Sequence, residues 1–229
     1  TNATQLGLTI VYPPNDFKTN VLPLWLNVTF AADPDNDVIN ISYFINGKLN
    51  QTNLTNTTFE ASDGVYILNV SMHDNVTPLT YSANVTINFT IDTTRPVANA
   101  TFNNTSPTNR DFLNFTGNVT DNIELLSANW TYNLSGFITK INYTLSGTSA
   151  QVSNTTSLSG LPGGSVLNFT LYATDTSNNV KQNSTLLTIT DATTPIVNTT
   201  FNIAIPAIND VINFTGNVTD ETGLLSANW

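Results

Sequence analysis

Asn84-Val85-Thr86-Ile87-Asn88-Phe89-Thr90-Ile91 alternates without a break, with Val85, Ile87, Phe89 and Ile91 on one side and Asn and Thr on the other. A period of two marks a strand with one face in a core and one in water. The same alternation runs through Ile39 to Ile45, Tyr66 to Met72, Leu113 to Val119 and Leu167 to Leu171. Helical periodicity is nearly absent, so the spacing predicts an all-β chain.

Outside these stretches the composition narrows the class. The chain has 229 residues, 40% of them apolar and 10% aromatic, enough for one large or two modest domains with real cores. Only 10% of residues are charged, 16 acidic against 6 basic, for a formal net charge of −10. The six cations, Lys18, Lys48, Arg95, Arg110, Lys140 and Lys181, are scattered. Nucleic-acid and anionic-membrane partners need clustered Lys and Arg, so neither is expected. No apolar run approaches the roughly 18 residues of a membrane helix, and none of this segment is expected to span a bilayer. The opening Thr1-Asn2-Ala3-Thr4 has no basic n-region, so the chain reads as mature or as a fragment.

Polarity comes instead from 35 Asn, 39 Thr and 16 Ser. Random placement would yield roughly 8 Asn-x-Ser/Thr acceptor patterns, whereas the sequence holds 24. In a strand the Asn and the Ser/Thr of such a sequon share one face and the middle residue takes the other. That middle residue is apolar or aromatic in 17 of the 24, which places acceptors on the outer faces of half-buried strands. The expected N-glycosylation sites are Asn27, Asn40, Asn53, Asn69, Asn84, Asn88, Asn99, Asn114, Asn118, Asn129, Asn133, Asn142, Asn168, Asn183, Asn198, Asn213 and Asn217. Asn is depleted in strands, so a sugar coat supplies the reason a merely polar face does not. N-linked glycans imply export and an extracellular, cell-surface location. Every sequon lacks the acidic residue that the common bacterial glycosylation system requires two positions before the Asn. Cysteine is absent, and exported eukaryotic chains more often use disulfides, so an archaeal source is expected.

Residues 92 to 130 and 191 to 229 align without a gap, identical at 23 of 39 positions. The repeat divides the chain into units at 1–91, 92–190 and 191–229. The third unit is expected to be incomplete, because 39 residues cannot easily bury a core. It would be continued in a longer array or completed by strands of another chain.

The units resemble the tandem immunoglobulin-like repeats of prokaryotic cell-surface proteins. The resemblance rests on the phrase Asp92-Thr93-Thr94-Arg95-Pro96, on its second copy Asp191-Ala192-Thr193-Thr194-Pro195, and on Ala173-Thr174-Asp175-Thr176-Ser177-Asn178-Asn179-Val180. It implies antiparallel β-sandwiches, with Trp130 inward on the third strand and Tyr66 at a tyrosine corner; the second unit has Leu167 there. It also implies that the loops after the second and sixth strands meet at the end where the chain enters. In the second unit that end would gather Asp92, Asp121, Glu124 and Asp175, hard oxygen donors that suit calcium. The first unit has Asp33-Pro34-Asp35-Asn36-Asp37 and Asp74-Asn75 in these loops, and the third has Asp191, Asp220 and Glu221. The ordinary reading of the same residues is turn formation, and their spacing is not that of an EF-hand.

Catalysis has few candidates. His73 is the only histidine, serine nucleophiles have no second histidine to pair with, and Gly163-Gly164 and Gly136 precede no helix. No enzymatic activity is expected. The resulting expectation is a structural, glycosylated surface protein forming a coat, stalk, sheath or filament. Its partners would be further copies of itself or other surface proteins. The rival readings are an adhesin stalk carrying a distal binding domain and a spacer of a secreted hydrolase.

Overall fold

The computed structural model describes residues 7–31, 39–52, 55–74, 82–134, 136–220 and 222–227. Among them there is no α-helix, and the chain is all-β. No helix of the described residues is long and apolar enough to cross a membrane.

The first unit contains β1 (Leu8–Tyr12), β2 (Phe17–Thr19), β3 (Leu24–Phe30), β4 (Ile39–Ile45), β5 (Lys48–Thr52), β6 (Asn56–Phe59), β7 (Gly64–Asp74) and β8 (Ser82–Ile91). They form a three-stranded sheet, β1-β3-β6, and a five-stranded one, β2-β8-β7-β4-β5. β2 runs parallel to β8, while the other pairs are antiparallel. One core joins the two sheets: Leu24, Leu26 and Val28 of β3 meet Ile41 and Tyr43 of β4, Leu68, Val70 and Met72 of β7, and Phe89 and Ile91 of β8. Burial of Tyr43 also pushes its phenol up to about 12, because ionisation would place a charge in that core.

The second unit contains β9 (Val97–Phe102), β10 (Phe112–Thr120), β11 (Leu125–Leu134), β12 (Phe137–Thr144), β13 (Ser149–Ser157), β14 (Val166–Asp175) and β15 (Val180–Thr188). Their sheets are β13-β10-β9 and β12-β11-β14-β15. Leu113, Phe115 and Val119 of β10 face Trp130, Phe169 and Leu171 of the other sheet. Trp130 is fully buried, its ring 5.1 Å from that of Phe115. Each such side chain contributes about 1.5–3 kcal/mol on burial. The third unit shows one antiparallel pair, β16 (Ile196–Phe201) with β17 (Phe214–Thr219). Every residue of β16 is exposed.

The strand predicted over 84–91 begins at Ser82, those predicted over 66–72 and 113–119 extend by two residues and one residue at each end, and that predicted over 167–171 extends by one residue at its start and four at its end. Periodicity finds the half-buried centre of a strand but misses ends where both faces are wet. Tyr66 donates its hydroxyl to the Ser62 carbonyl at 2.6 Å, the bond of a tyrosine corner.

Candidate cation site at the first domain junction

Asp92 leaves β8 as the first linker residue, Asp121 follows β10 and Asp175 ends β14. Their carboxylates converge, with one oxygen from each lying within 4.8 Å of the others. Each has a local task that holds it there. Asp121 folds its own loop, its Oδ2 accepting from the amides of Ile123 at 2.8 Å and Glu124 at 2.9 Å. Asp175 does the same for the loop after β14, its Oδ1 accepting from Ser177 and Asn179 amides at 2.8 and 2.9 Å. Asn178 takes a φ of 69° to close that turn, a conformation that Asn tolerates better than most side chains. Asp92 uses Oδ1 to accept from the Thr94 amide at 3.3 Å.

Two oxygens remain. Asp92 Oδ2 and Asp121 Oδ1 are buried without a hydrogen-bond partner, and Asp92 as a residue has no exposed surface. Burial, aided by the charges of Asp121 and Asp175, pushes the Asp92 carboxyl up to about 6. A buried acceptor with nothing to accept is costly, and three like charges at this spacing repel. A cation at the centre would relieve both.

Glu124 does not join the three. Its carboxylate turns to the first unit and pairs with Lys18 Nζ at 2.7 Å, with both side chains partly exposed. The loop amide of Glu124 serves Asp121, so the residue helps to build the site while its charge serves the joint. Two residues that sequence reasoning did not place at this end complete the junction. Asn179 Nδ2 donates to the Asp92 carbonyl and to Asp175 Oδ2, both at 2.8 Å, tying the loop to the linker. Asp63 of the first unit accepts from the Thr93 amide at 2.8 Å, from the Thr93 and Thr94 hydroxyls, and from Asn122 Nδ2 at 3.0 Å. Burial works to raise the Asp63 carboxyl, but these donors outweigh it and hold it at about 2. Asn179 lay in the quoted loop phrase, where Asp175 makes the Asx turn with the Ser177 amide, but its own bond to the linker carbonyl had no local signal. Asp63 carried no such signal, since its partners lie across a domain boundary.

At the second junction the corresponding carboxylates stay apart from any such cluster among the described residues. Asp191 accepts from Thr193 and from Asn109, and the Thr193 bonds lead those that hold its carboxyl at about 2. Asp220 accepts from the amides of Thr222 and Gly223. Asp33 to Asp37, Asn75 and Glu221 lie outside the described residues. His73 sits exposed on β7.

Of the expected acceptor asparagines, Asn53 lies outside the described residues. Asn84, Asn88, Asn99, Asn114, Asn118, Asn142, Asn168, Asn198, Asn213 and Asn217 are exposed. Asn27, Asn40, Asn69, Asn129, Asn133 and Asn183 are half-buried. Eight of their middle residues, Val28, Ile41, Val70, Phe89, Phe115, Val119, Trp130 and Phe169, are buried as a period of two dictates, while Val85, Ala100, Leu134, Tyr143 and Val218 are half-buried and Ser184, Thr199 and Phe214 are exposed. Several amides are also engaged: Asn69 Nδ2 donates to Asn84 and Thr86, and Asn183 Nδ2 to the Ala98 carbonyl.

These sheets and this junction define an all-β chain of tandem sandwich units. No protein-family model and no curated protein sequence matches it. Among solved structures it is similar to a tetra-tandem repeat from the extending region of a large adhesion protein, at 19% identity and a TM-score of 0.44. The match covers 93% of this chain and 56% of that one, so the chain spans little more than half of its length. It is also similar to a Bacteroides ovatus surface protein of a mixed-linkage glucan utilisation locus, solved with a heptasaccharide. That match has 13% identity and a TM-score of 0.31, covering 82% of this chain and 48% of that one.

Proposed function

We propose that the chain is a length of an extracellular structural array, N-glycosylated on its outer faces, whose first joint is stiffened by a bound calcium ion. The observation that carries this reading is the convergence of Asp92, Asp121 and Asp175 at a domain junction with two buried oxygens unpartnered. A joint is where stiffness is decided, because units that each bury their own core move freely about a linker unless something ties them. Here the linker is tied on one side by Asp63 and on the other by Asn179. Calcium takes six to eight oxygens. The three carboxylates supply the charge, and water or the buried Thr176 and Ser177 hydroxyls of the same loop supply further donors. The role is mechanical, and no residue is assigned a catalytic one. Glycans on Asn-bearing faces would keep sheet surfaces wet and proteases away, leaving unit ends and bare strand edges for association with further copies.

The test is small-angle scattering and thermal melting of the intact protein with calcium and with chelator. The expected result is a narrower distance distribution and a higher Tm with calcium. Identical curves in both would remove the cation. Glycopeptide mass spectrometry reads the coat separately, and bare asparagines throughout native material would remove that part. Imaging of native material distinguishes a lattice or filament from isolated adhesin stalks, and light scattering that shows only monomers would count against self-association.

A further inference from the structure

Several large apolar side chains sit exposed on the outer faces, and six of them share one relation to the acceptor asparagines. Trp25 of β3 is 60% exposed and stands two residues before Asn27. Ile67, Val97, Phe112, Val166 and Ile196 stand exposed at the same distance before Asn69, Asn99, Asn114, Asn168 and Asn198, each pair within one strand. Residues i and i+2 of a strand share a face. Each outer apolar group therefore lies beside an asparagine of an Asn-x-Ser/Thr pattern. Single exposed apolar residues are ordinary on a protein surface, so the site that matters is the one where such a residue meets a second aromatic ring in a groove.

The relation is most developed at Trp25. Leu24, Leu26 and Val28 point into the core, which sends Trp25, Asn27 and Thr29 outward together. Across the sheet, Asn27 pairs with Tyr12 of β1 and Asn56 of β6, and Trp25 pairs with Thr58. Tyr12, Trp25, Asn27 and Asn56 line an open groove of about 420 Å³. Tyr12 is braced from behind by Phe17, their rings 5.0 Å apart and edge to face. The groove is thus lined by two aromatic side chains, Trp25 and Tyr12, the latter also packed on the core, and by the amides of Asn27 and Asn56. A pyranose ring has the complementary shape, with axial C–H groups on one face and hydroxyls at its edge, and indole and phenol rings combine an apolar face with a polar tip.

We infer that the groove of Tyr12 and Trp25 seats the first sugar of an N-linked glycan carried on Asn27, so that the carbohydrate folds back on the sheet. This rests on the glycan reading above. It makes the coat part of the folded surface, with the apolar neighbour two residues earlier serving as its shelf.

The test uses the full chain made in a host that glycosylates Asn-x-Thr, comparing wild type, Trp25→Ala, Asn27→Gln and the double variant, with Thr29→Ala as a second way to remove the sugar. Glycopeptide mass spectrometry first reads occupancy at each sequon. The expected result is an occupied Asn27 whose loss lowers Tm by a few degrees in the wild-type background and by nothing in the Trp25→Ala background. An occupied Asn27 with additive losses overturns the seating and leaves the glycan reading intact. A bare Asn27 beside occupied sequons elsewhere overturns the seating alone, whereas a chain bare at every sequon overturns both. Coupling that follows Asn56→Gln instead overturns the assignment to Asn27.

Discussion

Asp92 combines opposing demands in one side chain. The fold requires a linker residue whose carbonyl meets Asn179 and whose carboxylate caps the Thr94 amide, and it buries that carboxylate beside two others. Its carboxyl stands at about 6 in the folded chain against an ordinary 3.8. The folded state therefore holds this proton more tightly than the unfolded state does. Its contribution is complete below the ordinary value and is lost as pH rises through about 6. In chelator, the Tm of the second unit is expected to fall between about pH 4 and pH 7, while Asp92→Asn, which has no charge to bury, shows less of this slope. Asn at 92 is also expected to remove the calcium increment. Melting curves across that range check both, and parallel curves for the two proteins would contradict the argument. Asp63 works in the opposite sense: held at about 2, it stabilises above its ordinary value and loses that contribution as pH falls through about 2.

A strand of these sandwiches is legible because its two faces have different jobs, and β10 shows how strictly. Leu113, Phe115 and Val119 are buried, Asn114 and Asn118 exposed, and Gly117 takes an inward position where no side chain fits. A Cβ there would lie 2.7 and 2.9 Å from the two Leu171 methyl carbons and 3.1 Å from Val152. Gly117→Ala is accordingly expected to cost about 1–3 kcal/mol through overpacking, seen as a lower urea midpoint for the second unit. A midpoint unchanged or raised would mean that Leu171 gives way freely. Periodicity marked 117 as inward, but the lack of room there comes from β14, which is distant in sequence. The edge strand β12 is the complementary case: it alternates only between exposed and half-buried and has no buried residue, so its period carried too little contrast to be read beforehand.

Across the whole molecule, the distribution of bonds at the joint decides how it bends. Lys18 and Glu124 form a partly exposed pair, worth at most about 1 kcal/mol and weakened by salt. Asp63 accepts four hydrogen bonds from the linker and the second unit, and is the stronger tie. Asp63→Ala is expected to broaden the distance distribution in small-angle scattering while leaving the melting of the individual units nearly unchanged. A distribution as narrow as that of the wild type would show that the remaining ties, the Lys18–Glu124 pair among them, are enough to hold the joint.

Copies of nearly the same phrase separate the two levels of information most cleanly. Asn114-Phe115-Thr116-Gly117-Asn118-Val119 and Asn213-Phe214-Thr215-Gly216-Asn217-Val218 are identical, and both form strands with Phe and Val on one face. Yet Phe115 is fully buried and Phe214 is 60% exposed. Period and face are local, since they follow from the pleat of each strand and the placement of Asn, Thr and apolar residues along it. Burial is not local, because it needs a second sheet opposite. The acidic site divides in the same way: Asp92, Asp121, Glu124 and Asp175 were readable as loop carboxylates, and only the immunoglobulin-like resemblance implied that they share one end. The approach of the three aspartates to within 4.8 Å, and the turning of Glu124 to Lys18, came from packing three separate segments and a neighbouring unit around a shared end.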